Sequence, residues 1–185
     1  METLIFNILD GATIAVSDLL FYDNLTKRQR ENASAKKLFE KILNSDVEIV
    51  HDIDGKPFLK DNTLKISISH SKTKIAVIVS NKNVGIDIED ISEKIFRIAE
   101  RFLSKKELAK IPQSAENYTL AWAAKETAYK IIGKQATDFR QSLEIQKIEK
   151  NDSTGTIFLN VLFENKYLIL NYKILNNSVL VWGEE

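Results

Sequence analysis

Three short stretches of this chain carry side chains suited to phosphate and divalent-cation chemistry. The first is Val84-Gly85-Ile86-Asp87-Ile88-Glu89-Asp90. Alternate side chains of a strand share a face. Val84, Ile86 and Ile88 would then enter a core, with Asp87 and Glu89 together on the other side. Their Cα atoms would stand roughly 6.5–7 Å apart. Two carboxylates that close repel each other unless they are solvated or share a cation. Hard oxygen donors suit Mg2+, which completes its shell with phosphate and water. An edge strand with solvated acids is the plain alternative, and the segment alone does not choose. Gly85 leaves room for a ligand to approach the backbone.

The second stretch is Trp122-Ala-Ala-Lys125-Glu126-Thr-Ala-Tyr129-Lys130-Ile-Ile-Gly133. At helical spacing Leu120, Ala124, Ala128 and Ile131 form one apolar face. Trp122, Lys125, Glu126, Tyr129, Lys130 and Gly133 fall on the opposite side. Glu126 and Lys130 can face one ligand, as base and proton donor, or form an ordinary surface ion pair. The third stretch is Ile66-Ser67-Ile68-Ser69-His70-Ser71, with His70 at a strand end. No G-x-S-x-G elbow accompanies it, which removes a serine hydrolase. His70 and the neighbouring hydroxyls suit a phosphate oxygen. Asp54-Gly55-Lys56-Pro57 places Lys56 in a rigid turn, and no phosphate-loop or dinucleotide glycine pattern is present. Arg28 and Lys36 either meet phosphates or belong to a charged helix surface.

Positioning these groups requires the following elements. A helix over 27–43 starts at Thr26. Strands are expected at 12–16, 47–50, 64–69, 75–80 and 84–89. A capping box, Ser104 with Glu107, opens a short helix at Lys105, and a longer one runs from about 114 to 132, ending at Gly133. Strands at 143–148, 156–163, 167–175 and 178–182 follow, with a hairpin turn at Asn176-Asn177. The fold class is α+β, with residues 1–90 and 91–185 as two halves sharing an interface. The 26 basic and 26 acidic residues balance, so no global field points to nucleic acid or an anionic membrane. Without cysteine, thiolate zinc sites, disulfides and a cysteine nucleophile are excluded. No apolar run approaches about 18 residues and the first ten residues carry no basic region, so a cytoplasmic protein is expected.

Taken together, Gly55-Lys56-Pro57-Phe58, Ile68-Ser69-His70-Ser71, Val84–Glu89, Arg101-Phe102-Leu103-Ser104-Lys-Lys-Glu107 and Trp122–Lys130 resemble, in order and spacing, the 4'-phosphopantetheinyl transferase superfamily, in its larger Sfp-like class. The resemblance implies two pseudo-symmetric α+β halves, a monomer, and transfer of 4'-phosphopantetheine from coenzyme A to a serine of an acyl or peptidyl carrier protein. It implies Mg2+ on Asp87, Glu89 and Glu126, and Glu126 as base. Lys130 would neutralise or protonate the leaving 3',5'-ADP. His70, Lys56, Arg28, Lys36 and Lys125 would serve coenzyme A. Ser67 stands where many members have asparagine, and Thr127 where alanine or serine is usual. Two alternatives remain: a binding module of the same fold that holds coenzyme A or a carrier without transfer, and a metal-dependent phosphodiester hydrolase.

Overall fold

A computed structural model of the chain describes residues 3–8, 11–19, 24–60, 63–133 and 138–185. The helices begin where capping chemistry starts them. The Thr26 hydroxyl accepts the Gln29 N–H while the Gln29 side chain accepts the Thr26 N–H, opening α1 (Lys27–Leu43). Asn44, in the left-handed conformation, closes it. After a 3-10 turn, Glu93–Arg97, comes α2 (Ala99–Phe102). Ser104 and Glu107 form the expected capping box of α3 (Lys105–Lys110). Ser114 caps α4 (Ala115–Ile132), which stops at Gly133 with φ 89°. Asp138 starts α5 (Phe139–Ser142) by accepting the Arg140 and Gln141 N–H groups. This turn is too short to show an apolar period in the sequence.

The strands are β1 (Thr3–Asn7), β2 (Thr13–Asp18), β3 (Ile49–His51), β4 (Pro57–Leu59), β5 (Lys65–His70), β6 (Lys74–Ser80), β7 (Val84–Asp90), β8 (Leu143–Asn151), β9 (Thr154–Val161), β10 (Lys166–Leu175) and β11 (Ser178–Glu184). They build one antiparallel sheet in the order β1-β2-β6-β5, a second in the order β7-β11-β10-β9-β8, and the hairpin β3-β4. The expected halves, 1–90 and 91–185, therefore share a sheet. β7 pairs with β11, Asp87 opposite Val181, and belongs to the second sheet. Strand pairing over such a separation leaves no local trace in sequence.

Three apolar clusters set the layer order α1, first sheet, second sheet, α4. Leu38 and Phe39 of α1 pack on Ala15, Ile75 and Val77. Ile14, Val16, Ala76 and Ile78 of the first sheet meet Val84, Ile86, Ile88 and Leu180 of the second. α4 packs on the far face, with Leu120, Ala124, Ala128 and Ile131 beside Val179 and Val181. Each fully buried aliphatic side chain contributes roughly 1.5–3 kcal/mol, so the sheet-on-sheet contact is held chiefly by burial. At its free edge β7 meets β5 without a backbone ladder. Instead the Ser67 and Ser69 hydroxyls accept the N–H groups of Ile86 and Ile88, each at 3.2 Å. No helix among the described residues is long and apolar enough to cross a membrane.

Candidate active site

The alternation read in β7 has the expected effect. Ile86 and Ile88 are fully buried between the sheets, and Gly85, Asp87 and Glu89 turn toward α4. Gly85 permits the approach. A Cβ there would lie 2.3 Å from the Thr127 carbonyl oxygen and 2.8 Å from Ile131 Cγ1. With no side chain at Gly85, α4 settles on the strand and brings Trp122, Glu126 and Lys130 to the acids. The glycine thus admits the protein's own helix.

Asp87 is the hub. Its Oδ1 accepts the Ser69 hydroxyl at 2.6 Å and the Lys130 ammonium at 2.8 Å. Lys130 also donates to the Ile86 carbonyl at 2.9 Å. The other oxygen, Oδ2, is buried without a hydrogen-bond partner, an arrangement that calls for a donor or a cation. Glu89 accepts the Trp122 indole N–H at 3.1 Å. Burial, then the Asp87 charge, push its carboxyl up to about 7, with Glu126 adding to the rise and the indole bond opposing it. Burial and Asp87 likewise push Glu126 up, against the pull of Lys130. Asp87 thus raises the cost of charging both glutamates, and Glu126 adds to it at Glu89. Their hard oxygens and the unmatched Oδ2 fit a small divalent cation. Among the described residues, however, no three His, Asp or Glu side chains are already gathered closely enough to hold one.

Two cavities flank this group. One of about 340 Å3 is lined by Gly55, Lys56 and Pro57 of the β3-β4 hairpin, by Ile66, Ser67 and Ile68 of β5, and by Tyr129, Lys130 and Gly133 at the end of α4. The second, of about 820 Å3, holds Glu126 and Trp122 together with Phe102, Phe139 and the guanidinium side chains Arg101 and Arg140. Trp122 packs edge-on to Phe102, ring centroids 5.1 Å apart, and lies 5.7 Å from Phe139.

Several expected contacts are placed differently. Lys125 is not on a ligand-facing surface. It is fully buried, and its ammonium donates to the carbonyls of Phe102 (2.7 Å), Leu143 (2.8 Å) and Phe139 (3.2 Å) and to the equally buried Glu107 (2.7 Å). Three N–H groups serve these four acceptors, so none remains for a phosphate. The sequence showed Glu107 only as a cap and hid its second role as the counter-ion. Ser67, Ser69 and Ser71 are also committed within the protein, Ser71 accepting the Thr73 and Lys74 N–H groups. His70 Nε2 lies 3.3 Å from Glu31 Oε2 on α1. Arg28 is exposed, and Lys36 pairs with Asp46 at 2.8 Å and Glu40 at 3.4 Å; neither lines the cavity that holds Lys56. Asp90, which the sequence left without a role, accepts from Thr73, Ser178 and the Lys72 N–H. It anchors the turn after His70.

Fold and site together define an α+β protein with a carboxylate–ammonium centre held between a strand of one sheet and the helix laid over it. Residues 83–177 match the family described as the 4'-phosphopantetheinyl transferase superfamily, and the chain belongs to it. Over 85 residues it is 40% identical to the 4'-phosphopantetheinyl transferase gsp of Aneurinibacillus migulanus. That alignment covers 43% of this chain and 35% of the relative, so the chain spans about a third of the relative's length.

Proposed function

We propose that the protein transfers the 4'-phosphopantetheine arm of coenzyme A to a serine of an apo carrier protein, releasing 3',5'-ADP. The observation that carries this reading is the grouping of Asp87, Glu89, Glu126 and Lys130, with Lys130 lining one cavity and Glu126 another. The serine oxygen forms a bond to the phosphorus that carries the pantetheine. The bond from that phosphorus to the bridging oxygen of the diphosphate breaks, and its electron pair leaves with 3',5'-ADP. Glu126 takes the serine proton, a role favoured by the upward pull on its carboxyl. Lys130, hydrogen-bonded to Asp87 and lining the smaller cavity, offsets the charge on the departing phosphate. Mg2+ held by Asp87, Glu89 and Glu126 would add positive charge beside the diphosphate.

Lys56 belongs to the coenzyme A side, since it shares the smaller cavity with Lys130. His70 adds a phosphate donor if its imidazole leaves Glu31 for the ligand. Arg28 and Lys36, exposed on α1, serve more distant phosphate. The same reading makes the protein a cytoplasmic monomer of two α+β halves, with no nucleic-acid or membrane partner, in keeping with its balanced charge.

The test is incubation with coenzyme A, Mg2+ and a panel of apo carriers, followed by intact mass. Wild type should add one phosphopantetheine to at least one carrier, and Glu126→Gln should lose roughly 100-fold or more in rate without losing its fold. Coenzyme A binding with no mass gain on any carrier would leave only a binding module. Release of 3',5'-ADP without a carrier would mean hydrolysis.

A further inference from the structure

We propose that the buried Lys125–Glu107 pair sets the width of the larger cavity and through it the fit of the acceptor serine's segment, Lys125 acting as a positioning residue. The geometry lies in what one ammonium joins. Lys125 Nζ binds the carbonyl of Phe102, at the end of α2, and that of Phe139, at the start of α5. Those two residues form walls of the cavity that contains Glu126. The same ammonium binds Leu143, the first residue of β8. Glu107 completes the staple. Its carboxylate accepts the Ile145 N–H of β8 at 2.9 Å and the Ser104 N–H before α3 at 2.8 Å. Five elements therefore converge on two side chains that are both fully buried.

An ion pair removed from water is seldom there for net stability, because desolvation offsets most of its attraction. What it supplies is fixed spacing: the carbonyls of Phe102 and Phe139 can separate no further than one ammonium reaches. α5 depends on this most. It is one turn long, and its holds besides Lys125 include its own cap, the ring contacts of Phe139, its packing on α2 and β8, the Ser142 carbonyl's acceptance of the Leu162 N–H at 2.9 Å, and a 3.4 Å bond from Arg140 to the Glu100 carbonyl. The neighbours of Lys125 in sequence and on the helix, Glu126 and Trp122, line the same cavity. The staple and the proposed base are thus consecutive residues of α4.

This inference rests on the proposed transfer, which assigns the cavity with Lys56 and Lys130 to coenzyme A and leaves the Glu126 cavity to the acceptor. The variant to make is Lys125→Met with Glu107→Gln, which removes both charges together and leaves no buried ion unpaired. Amide hydrogen exchange of residues 102–104 and 139–143 should speed up at least tenfold, with β10 and β11 unchanged. The KM for the carrier should rise tenfold or more while the KM for coenzyme A stays within twofold. An unchanged carrier KM, or equal rises for both substrates, would overturn the inference. If the double variant fails to fold, Phe139→Leu widens the same gap without touching the pair. The same split in KM is then expected, and its absence overturns the inference equally. A wild-type protein that modifies no carrier would instead sink the transfer reading, and the exchange result would still report on the staple.

Discussion

Raising the pH of the metal-free protein from 5 to 8 charges Glu89 beside Asp87 and Glu126, and the fold should weaken in response. The Glu89 carboxyl is pushed up from 4.5 to about 7, first by burial and then by Asp87. Between those values the folded protein keeps a proton that the unfolded chain has lost. The stabilisation is therefore complete below 4.5 and disappears as pH rises through about 7. From pH 5 upward about 2 pH units of that span are crossed, which corresponds to ~2.7 kcal/mol at 1.36 kcal/mol per unit. The carboxyl is partly solvated, and screening reduces that to ~2 kcal/mol. Glu126, raised by the same causes, acts in the same direction. The assay is thermal unfolding of wild type and Glu89→Gln in chelator at both pH values. Glutamine keeps an acceptor for the Trp122 N–H and never charges. On going from pH 5 to 8, wild type should lose ~4–8 °C more than the variant, at ~2–4 °C per kcal/mol for a chain of this size. Parallel profiles would refute the reasoning, because they would mean that Glu89 charges in the folded protein as easily as in the unfolded one.

Gly85→Ala should cost ~1–3 kcal/mol and depress any transfer activity, since its Cβ meets the Thr127 carbonyl oxygen at 2.3 Å. A melting temperature equal to wild type would show that α4 is not seated against the strand as described. Ser69→Ala removes both a donor to Asp87 and the acceptor for the Ile88 N–H. The loss should be ~1–3 kcal/mol, together with faster amide exchange at Ile88; unchanged protection there would contradict the seam.

The strand that carries the acids was legible in sequence because its period is two and its inward residues are all aliphatic, Val84, Ile86 and Ile88. The long helix was legible in extent, as Ser114 and Gly133 mark its ends, but not in its faces. A helix covered on one side only would leave Lys125 outside. Here α2, α3, α5 and β8 close over it, and its counter-ion, Glu107, sits 18 residues earlier under the guise of a cap. Likewise β7 reads as the last strand of a first half, yet its partner is β11. β1 and β4 escaped notice because neither shows an alternation of buried and exposed residues that marks a half-covered strand. Type and spacing single out Asp87, Glu89, Glu126 and Lys130, which the fold brings near one another. In sequence Ser69 is only a hydroxyl suited to a phosphate oxygen; its link to Asp87 depends on where two strand edges meet.

The seam between β5 and β7 has a mechanical meaning. A backbone ladder locks two strands in one register, since every amide must find its opposite number. Here the joint hangs on two hydroxyls, which swivel about single bonds. Such a joint tolerates small sliding and tilting of one sheet over the other without losing its bonds. The Ser69 oxygen that swivels also touches Asp87, so play in the joint is passed directly to the carboxylate on which the site turns.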